Sequence, residues 1–576
     1  TLPQSDNRAL AIKLSEFNYS NRDMKESEFF NIENRFYFNQ NQFNSIPGSP
    51  IAYWVSENFI KTFDNGICID DISGHTGSQN KTANNNKYIR YFWEVSSEDI
   101  GVNNKWVFYA KGGDYRKYYG NLNLVVDWSD DARDFYKNNK TSNLLDEKYW
   151  FKEGITYTKI SSKGPSFRYL PPNCIFDMGG PSICYLEDNL YYMLGLLNSN
   201  LANYYLDIFN PTLNIQSKDI RALPVIINEE YKPIIDDKVS DNIEIFKNDY
   251  YSHENTFLFK KHPLLNFSHN LIESCYIDLK KAKESIYDKH MDNELELNNL
   301  FLEIYDIDDI SAEVNKEDIK LDLYDLNETI KSFISYVVGC MFGRYSLDDE
   351  KIQFAGGTFD LSNYSKFKPD DDNIIPVLDT EYFEDDIVGR FVEFIKICFG
   401  EEKLEENLEF IAKALNKKGK SSREIIRNYF LTDFINYHIK MYKKCPIYWQ
   451  FDSGKQNAFK CLIYMHRYEP GLVARVRTDY LHKTQKAIED NLIHCDNVIA
   501  NSSNKSEISK ATKDKSKYIK QLDEIRVYDE ALRHMATQNI EIDLDDGVKV
   551  NYAKFQKVEI SIEGEKPKNI NLLKNI

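Results

Sequence analysis

The alternation of apolar and polar positions changes character once along the 576-residue chain, close to Pro224. Upstream, short β-branched and aromatic runs separated by glycine-bearing turns predict strands at 106–110, 122–128 and 155–160. One amphipathic helix closes that region: Leu194, Leu197, Leu201, Tyr204 and Ile208 recur at spacings of three and four, and Asn210-Pro211 stops it. Downstream, helical periodicity takes over at 255–289, 326–342, 386–399, 402–415 and 421–443, the last opening with Ser421 and Glu424 at capping-box spacing. Two strands, 446–451 and 459–466, precede a helical pair, 471–499 and 505–537, joined by Asn501-Ser502-Ser503-Asn504.

The pattern predicts an α+β fold, an α/β domain followed by a mainly α-helical domain with a few strands. Residues 1–45 form a polar, Asn-rich N-terminal segment. Ile46-Pro47-Gly48-Ser49-Pro50 cannot be helical and reads as a tight connector. The α/β domain is expected over 46–225, a helical connector or clamp over 226–345, and the mainly helical C-terminal domain over 346–576. No internal repeat is visible.

Composition adds limits. The abundance of Tyr, Phe and Asn is what AT-rich coding would give, so it points to no function. Nine cysteines, an odd number without a CxxC pair, suggest free thiols in a reducing, cytoplasmic setting. The longest nearly apolar run, 333–342, is about half of what a bilayer requires, and no charged-then-apolar leader opens the chain, so no membrane partner is expected. The chain opens at Thr1 rather than methionine, as a processed product or a piece of something longer would.

Net charge is −18, which disfavours a polyanion partner until it is resolved by region. Residues 1–223 carry 23 Lys and Arg against 26 Asp and Glu, whereas residues 224–576 carry 49 against 64. The acidity therefore belongs to the second part. Within the first part, Lys105, Lys111, Arg116 and Lys117 face only Asp114 in sequence, and Lys152, Lys159, Lys163 and Arg168 face only Glu153. Local basic stripes, not the total, set a phosphate footprint.

Searches for catalytic constellations fail. Gly419-Lys420-Ser421 has Ala414 where a phosphate loop needs its first glycine, and it reads as a turn between helices. The ten histidines show no ligand spacing, so no metal is expected, and His466 reads as a packed, hydrogen-bonded side chain. Asp370, Asp371 and Asp372 lack the spaced Glu-x-Lys of a metal-dependent nuclease and read as a solvated acidic loop. The lysines at 505, 510, 513, 515, 517 and 520 read as a solvated helix face.

Residues 105–225 pass a test of recognition instead. Gly112-Gly113 allows close backbone approach, and Tyr115, Arg116, Lys117 and Tyr118 interleave rings with cations. Ser161, Ser162, Lys163 and Gly164 offer hydroxyls and a charge for phosphate oxygens. The candidate DNA-contacting residues are Lys105, Lys111, Arg116, Lys117, Lys159, Ser162, Lys163 and Arg168. Candidates for reading base edges are Gln79, Asn80, Arg90 and Gln216, with Arg116 and Arg168 also of suitable type.

The blocks IPGSPIAYW (46–54), KWVFYAKGGDYRKYYGN (105–121), FKEGITYTKISSKGPSFRYLPP (151–172), LGLLNSNLANYYL (194–206) and NPTLNIQSKDIRALPV (210–225) resemble the target-recognition region of large adenine-specific DNA methyltransferases. The later blocks SYVVGCMFGRYSLD (335–348), DDNIIPVLDTEYFEDDIVGRF (371–391) and PIYWQFDSGKQNAFKCLIYMHRY (446–468) resemble the PglX methyltransferases of BREX phage-defence systems. This resemblance runs from about residue 46 to 535.

It implies double-stranded DNA as a partner, a catalytic methyltransferase half, other BREX proteins, and S-adenosylmethionine as cofactor of the intact enzyme. The family's Gly-rich loop and Asn-Pro-Pro-aromatic motif are missing: Asn210-Pro211-Thr212-Leu213 breaks the motif, and Pro171-Pro172-Asn173 has the wrong order. Such a chain would correspond to the C-terminal half, with no cofactor and no catalytic residue of its own, supplying sequence recognition. The alternative is a protein-interaction scaffold with incidental DNA contact. A nuclease or nuclease fusion is disfavoured by the missing metal motif.

Overall fold

The computed structural model describes residues 8–14, 17, 21–74, 79–210, 212, 214–561 and 566–576. The chain forms two compact units that interleave in sequence. The first comprises Thr1–Asn85, Val102–Tyr250 and Ser285–Asp322, and the second comprises Asn86–Gly101, Tyr251–Glu284 and Leu323–Ile576. As the pattern predicts, a mixed α/β region with several sheets precedes a largely helical one.

In the first unit, Trp106–Ala110 pairs antiparallel with Leu124–Asp127 and parallel with Cys174–Phe176. A second sheet places Gly154–Tyr157 between Ser182–Cys184 and Phe167–Leu170, all antiparallel. Gly154–Tyr157 is buried at every position, which is why its sequence does not alternate. The strand expected to run to 160 stops at Tyr157, because Lys159 turns its N–H to Gly179 O at 3.2 Å.

The helix expected from Leu194 to Ile208 is two helices, Leu190–Asn198 and Asn200–Phe209. Ser199 between them is extended, and its hydroxyl accepts the N–H of Ala202 as an N-cap. The Asn198 amide bonds both the N–H and the carbonyl of Phe167, holding the break against the second sheet. The helix Lys232–Tyr251, with Ile235, Val239, Ile243, Phe246 and Tyr250 buried at helical spacing, is not among the expected elements.

The second unit is built on the antiparallel order Ile375–Pro376, Lys460–Tyr464, Tyr448–Asp452. The central strand is wholly buried, and Pro376, which has no N–H, lies on an edge. Helices Leu326–Met341, Ile387–Phe399 and Leu404–Leu415 form where periodicity places them. The stretch expected as helix from 255 is irregular instead. His262 Nδ1 caps the Leu264 N–H, Pro263 starts a single tight turn, and the helix begins only at Ile272, running to Tyr305.

The segment 421–443 is two helices, Ser422–Tyr429 and Ile435–Met441, joined through a wide turn at Phe430–Phe434. Ser421 caps the first by accepting the Glu424 N–H, but the Glu424 carboxylate takes the N–H of Lys420 rather than that of Ser421. Gly419-Lys420-Ser421 is thus the turn between helices that the sequence suggests.

One expectation about the acidic triplet is overturned. Asp370 is buried, not solvated; its carboxyl is pushed up to about 7 by burial and by the nearby Asp372 and Asp385. The Ile374 N–H binds both Asp370 and Asp372, and Tyr480 donates to Asp372 and Asp385, so the loop is tied down from both sides. His466 is packed and bonds Val95 O at 3.2 Å, as expected.

Lys515 and Lys517 on Lys505–Ala536 pair with Asp496 and Asp379, and the other lysines of that run face solvent. All nine cysteines are free thiols. Among the described residues no helix is long and apolar enough to cross a membrane, and no cluster of His, Cys, Asp and Glu could hold a metal ion.

Candidate nucleic-acid interface

Four loops of the first unit meet along one edge. Thr158 Oγ1 donates to Gly113 O at 3.3 Å, Lys159 N donates to Gly179 O at 3.2 Å, and Ile215 N donates to Lys159 O at 3.0 Å. A bridge between Ile160 and Asn214 continues the seam. Gly112 permits a close approach, but to this chain's own backbone: a Cβ at Gly112 would lie 2.6 Å from Gly179 O, and one at Gly180 would lie 2.5 Å from Gly112 N.

Sequence candidates divide between the exposed rim of this seam and its buried root. On the rim, Ser162 and Gln216 are exposed, and Lys159 and Lys163 are at least partly so. Lys159 makes no ion pair with a described residue. Lys163 Nζ reaches Asp318 at 3.7 Å and Glu317 O at 3.2 Å. The rim also carries residues the sequence does not single out. Ile160 is 68 % and Met178 45 % exposed, and Lys320 shares the Glu317 carbonyl with Lys163. Desolvation and the neighbouring Lys163 hold the Lys320 ammonium below its usual pKa. No local signal could have found Lys320, because it joins the rim only through tertiary folding.

At the root, cations serve the fold. Arg168 is 1 % exposed; its guanidinium donates to Arg116 O, Ser166 O, Ser166 Oγ and Thr158 Oγ1 at 3.1–3.3 Å. Burial, reinforced by Arg116, pushes its pKa down to about 10. No carboxylate of a described residue pairs with it, so four oxygen dipoles do the work of a counter-ion.

Arg116 Nη1 lies 3.5 Å from Asp249 on Lys232–Tyr251, and its guanidinium sits over the Tyr250 ring. Lys117 Nζ is 2.6 Å from Glu294 and 2.9 Å from Asn198 O, and Tyr118 OH also bonds Glu294. Glu294 is fully buried, yet Lys117 holds its pKa below the ordinary value against the penalty of burial. His290, beside Tyr118, is pushed down to about 4 chiefly by burial and bonds Asn242.

The remaining candidates lie elsewhere. Lys111 pairs with Asp177 at 3.0 Å, and Asp177 also takes Tyr109 OH and the Gly179 N–H, so Lys111 helps to fix the seam. Lys105 sits over Trp106 at the far end of Trp106–Ala110, a five-residue strand of about 17 Å. Asn80 is buried, bonding Phe176 O and the Leu145 N–H, and the Gln79 carbonyl accepts the Asn143 amide. Arg90 belongs to the second unit, where it bonds Asp545 O and Asn86 O.

Asn210, the nearest approach to an amino-methyltransferase motif, is committed to a turn. Its Oδ1 accepts the N–H and hydroxyl of Thr212, and its Nδ2 bonds Asn214 O and Asp219. The neighbours Pro211 and Leu213 lie outside the described residues. With its amide occupied, Asn210 does not fit a group that must hold a substrate amine, and no S-adenosylmethionine chemistry can be assigned to it.

The chain is 36% identical over 573 residues to the adenine-specific methyltransferase BrxX of Escherichia coli O9:H4 (strain HS), an alignment covering 93% of this chain and 47% of that protein. It is also 36% identical over 545 residues to the adenine-specific methyltransferase PglX of Lacticaseibacillus casei (strain Zhang), covering 90% of this chain and 45% of that protein. The chain is homologous to PglX/BrxX adenine-specific methyltransferases over most of its length. It spans about half the length of these curated relatives. No protein-family model matches it.

Proposed function

We propose that the first unit recognises duplex DNA for an adenine-N6 methyltransferase of a BREX-type system, with the methyl-transfer residues lying outside this chain. The observation that carries this reading is the seam of four loops, whose rim presents Lys159, Ser162, Lys163 and Gln216 together with exposed Ile160 and Met178. Lysine and serine suit phosphate oxygens, glutamine suits a base edge, and an apolar side chain suits a thymine methyl or a base step. The buried Arg168 and the largely buried Arg116 and Lys117 act by holding the rim's loops in place. Cofactor binding is assigned to the remainder of the methyltransferase.

Fluorescence anisotropy with duplex DNA at graded salt tests this. The chain should bind weakly with a steep salt dependence, and Lys159→Ala with Lys163→Ala should lower the log–log salt slope by about 1 to 2. An unchanged slope in the double variant would remove the rim from the interface. Methyl transfer to DNA by this chain alone would overturn the division of labour.

A second reading, a docking partner within the defence complex, is favoured by the segment 8–39. Its helix Arg22–Phe30 buries no residue, and Leu10, Met24, Phe29, Phe30, Ile32 and Tyr37 are exposed. Such a concentration of exposed apolar side chains suits a protein surface. The two readings are compatible, since a recognition module must also hold its catalytic partner.

A further inference from the structure

Residues 306–322 follow the helix Ile272–Tyr305 and close the last segment of the first unit, with a single tight turn, Lys316–Asp318, as their only regular structure. A connection of that length without secondary structure is uncommon in a compact domain and is usually functional. Its charge is also biased, with seven Asp and Glu against Lys316 and Lys320. A polyanion approaching the rim beside it meets that charge as repulsion.

The ends of this loop and its middle are held differently. Asp306 and Asp309 accept the Asn58 amide at 2.9 Å and the Ser56 N–H at 3.0 Å. The Ser311 and Glu313 carbonyls accept the Asn200 amide, and the Asp322 N–H donates to Asp249 at 3.1 Å. The middle, 315–320, is braced on itself: Asn315 Oδ1 accepts the Glu317 N–H, and Asn315 Nδ2 donates to Asp318 Oδ2, both at 3.1 Å. Among the described residues, Lys163 is the hydrogen-bond and ion-pair partner that this tip finds outside itself.

Charge at the tip is unbalanced. The ammonium groups of Lys163 and Lys320 converge on one acceptor, the Glu317 carbonyl, at 3.2 and 3.0 Å. One carboxylate answers them: Asp318 Oδ1 stands 3.7 Å from Lys163 Nζ, while its other oxygen is taken by Asn315. That separation exceeds hydrogen-bond range, and the two side chains are 40 % and 33 % exposed, so the pair is loosely held. The same carboxylate acts on a third lysine. Burial works to lower the Lys117 pKa, but Glu294 and, to a smaller extent, Asp318 carry it above the ordinary value.

We propose that Lys163 and Lys320 form a subsite for a DNA phosphate, and that the Asp318 carboxylate holds this subsite in the free protein as an internal competitor. This rests on the reading of the rim as a DNA surface. A backbone phosphate presents two free oxygens, one for each ammonium, and enters as Asp318 turns off Lys163. The anchored ends keep the tip beside the rim. The competition is therefore intramolecular, and it lowers affinity for every sequence alike.

Competition anisotropy with duplex DNA at low salt, on the full chain, tests the exchange. Asp318→Asn removes the competing charge and keeps the side chain's shape, and it should tighten binding about two- to five-fold, the range for an exposed ion pair. That gain should vanish in a Lys163→Met background. It should also exceed the gain from Glu313→Gln, which removes the same charge from an exposed position of the same loop. Lys320→Met should weaken binding at least two-fold.

Unchanged affinity of Asp318→Asn, a gain that persists in the Lys163→Met background, an equal gain from Glu313→Gln, or full-strength binding by Lys320→Met would each overturn the inference and leave the rim in place. Absence of DNA binding by the parent chain and by Asp318→Asn alike would overturn it together with the reading of the rim.

Discussion

The root and the rim of the loop seam draw on the same residue types within one stretch of sequence, and tertiary packing sends them in opposite directions. Arg116, Lys117 and Arg168 turn inward to Asp249, Glu294 and a cage of oxygens. Lys159, Ser162 and Lys163, equally basic and hydroxylic on paper, stand on the edge. A buried cation is held by partners whose loss is costly, whereas a solvated lysine contributes little to stability and is available to a ligand. The cations that hold the loops are thus distinct from those that stand in solvent.

The largest effect expected from breaking this contrast is at Glu294. Glu294→Ala leaves Lys117 buried without its counter-charge and should destabilise the first unit by about 3–5 kcal/mol, read as a shift of the urea midpoint. Next comes acidification. His290 is neutral in the fold with a pKa of about 4, while the unfolded chain takes up the proton near 6.5. The unfolded state thus binds more protons between those values, so stability falls as pH drops through that window, by about 3 kcal/mol for this group. His290→Asn should flatten the urea-midpoint profile between pH 6.5 and 4.

A smaller effect is expected at Arg168. Arg168→Met removes a cation that no carboxylate of a described residue pairs with, but takes the guanidinium donor from the Arg116 and Ser166 carbonyls, for a net cost of about 1–3 kcal/mol in thermal unfolding. The smallest stability effects belong to the rim. Lys163→Ala and Gln216→Ala should change stability by no more than about 0.5 kcal/mol, measured by the same unfolding curves. Their signature is instead in DNA binding: a uniform loss across sequences for Lys163→Ala, and altered preference between sites for Gln216→Ala, read by competition between duplexes. A rim substitution as destabilising as Glu294→Ala would erase the distinction between root and rim.

Much of the fold is legible along the chain because its signals are local. The helices Leu326–Met341, Ile387–Phe399 and Lys505–Ala536 follow their periodicity and caps within a residue or two. The errors arise where a long-range partner overrides the local pattern. Ser199 breaks a continuous apolar stripe because Asn198 is held by Phe167, and Asp370 leaves solvent because the Ile374 amide receives its carboxyl. Of the candidate residues, those on the rim are legible by type and turn context. Ile160, Met178 and Lys320 are not, since an apolar residue or a distant lysine gives no sign in sequence of where it will surface.

By itself, the sequence determined the α/β-then-helical order, the basic stripes within an acidic chain, and the likeness to adenine-specific methyltransferases. Periodicity, charge and ordered blocks are properties of neighbouring residues, and chain order preserves them. Only the tertiary structure decided which stripe cations turn inward to Asp249 and Glu294 and which face outward. Burial and charge pairing depend on segments far apart in the chain, whose approach is set by the packing of the whole unit.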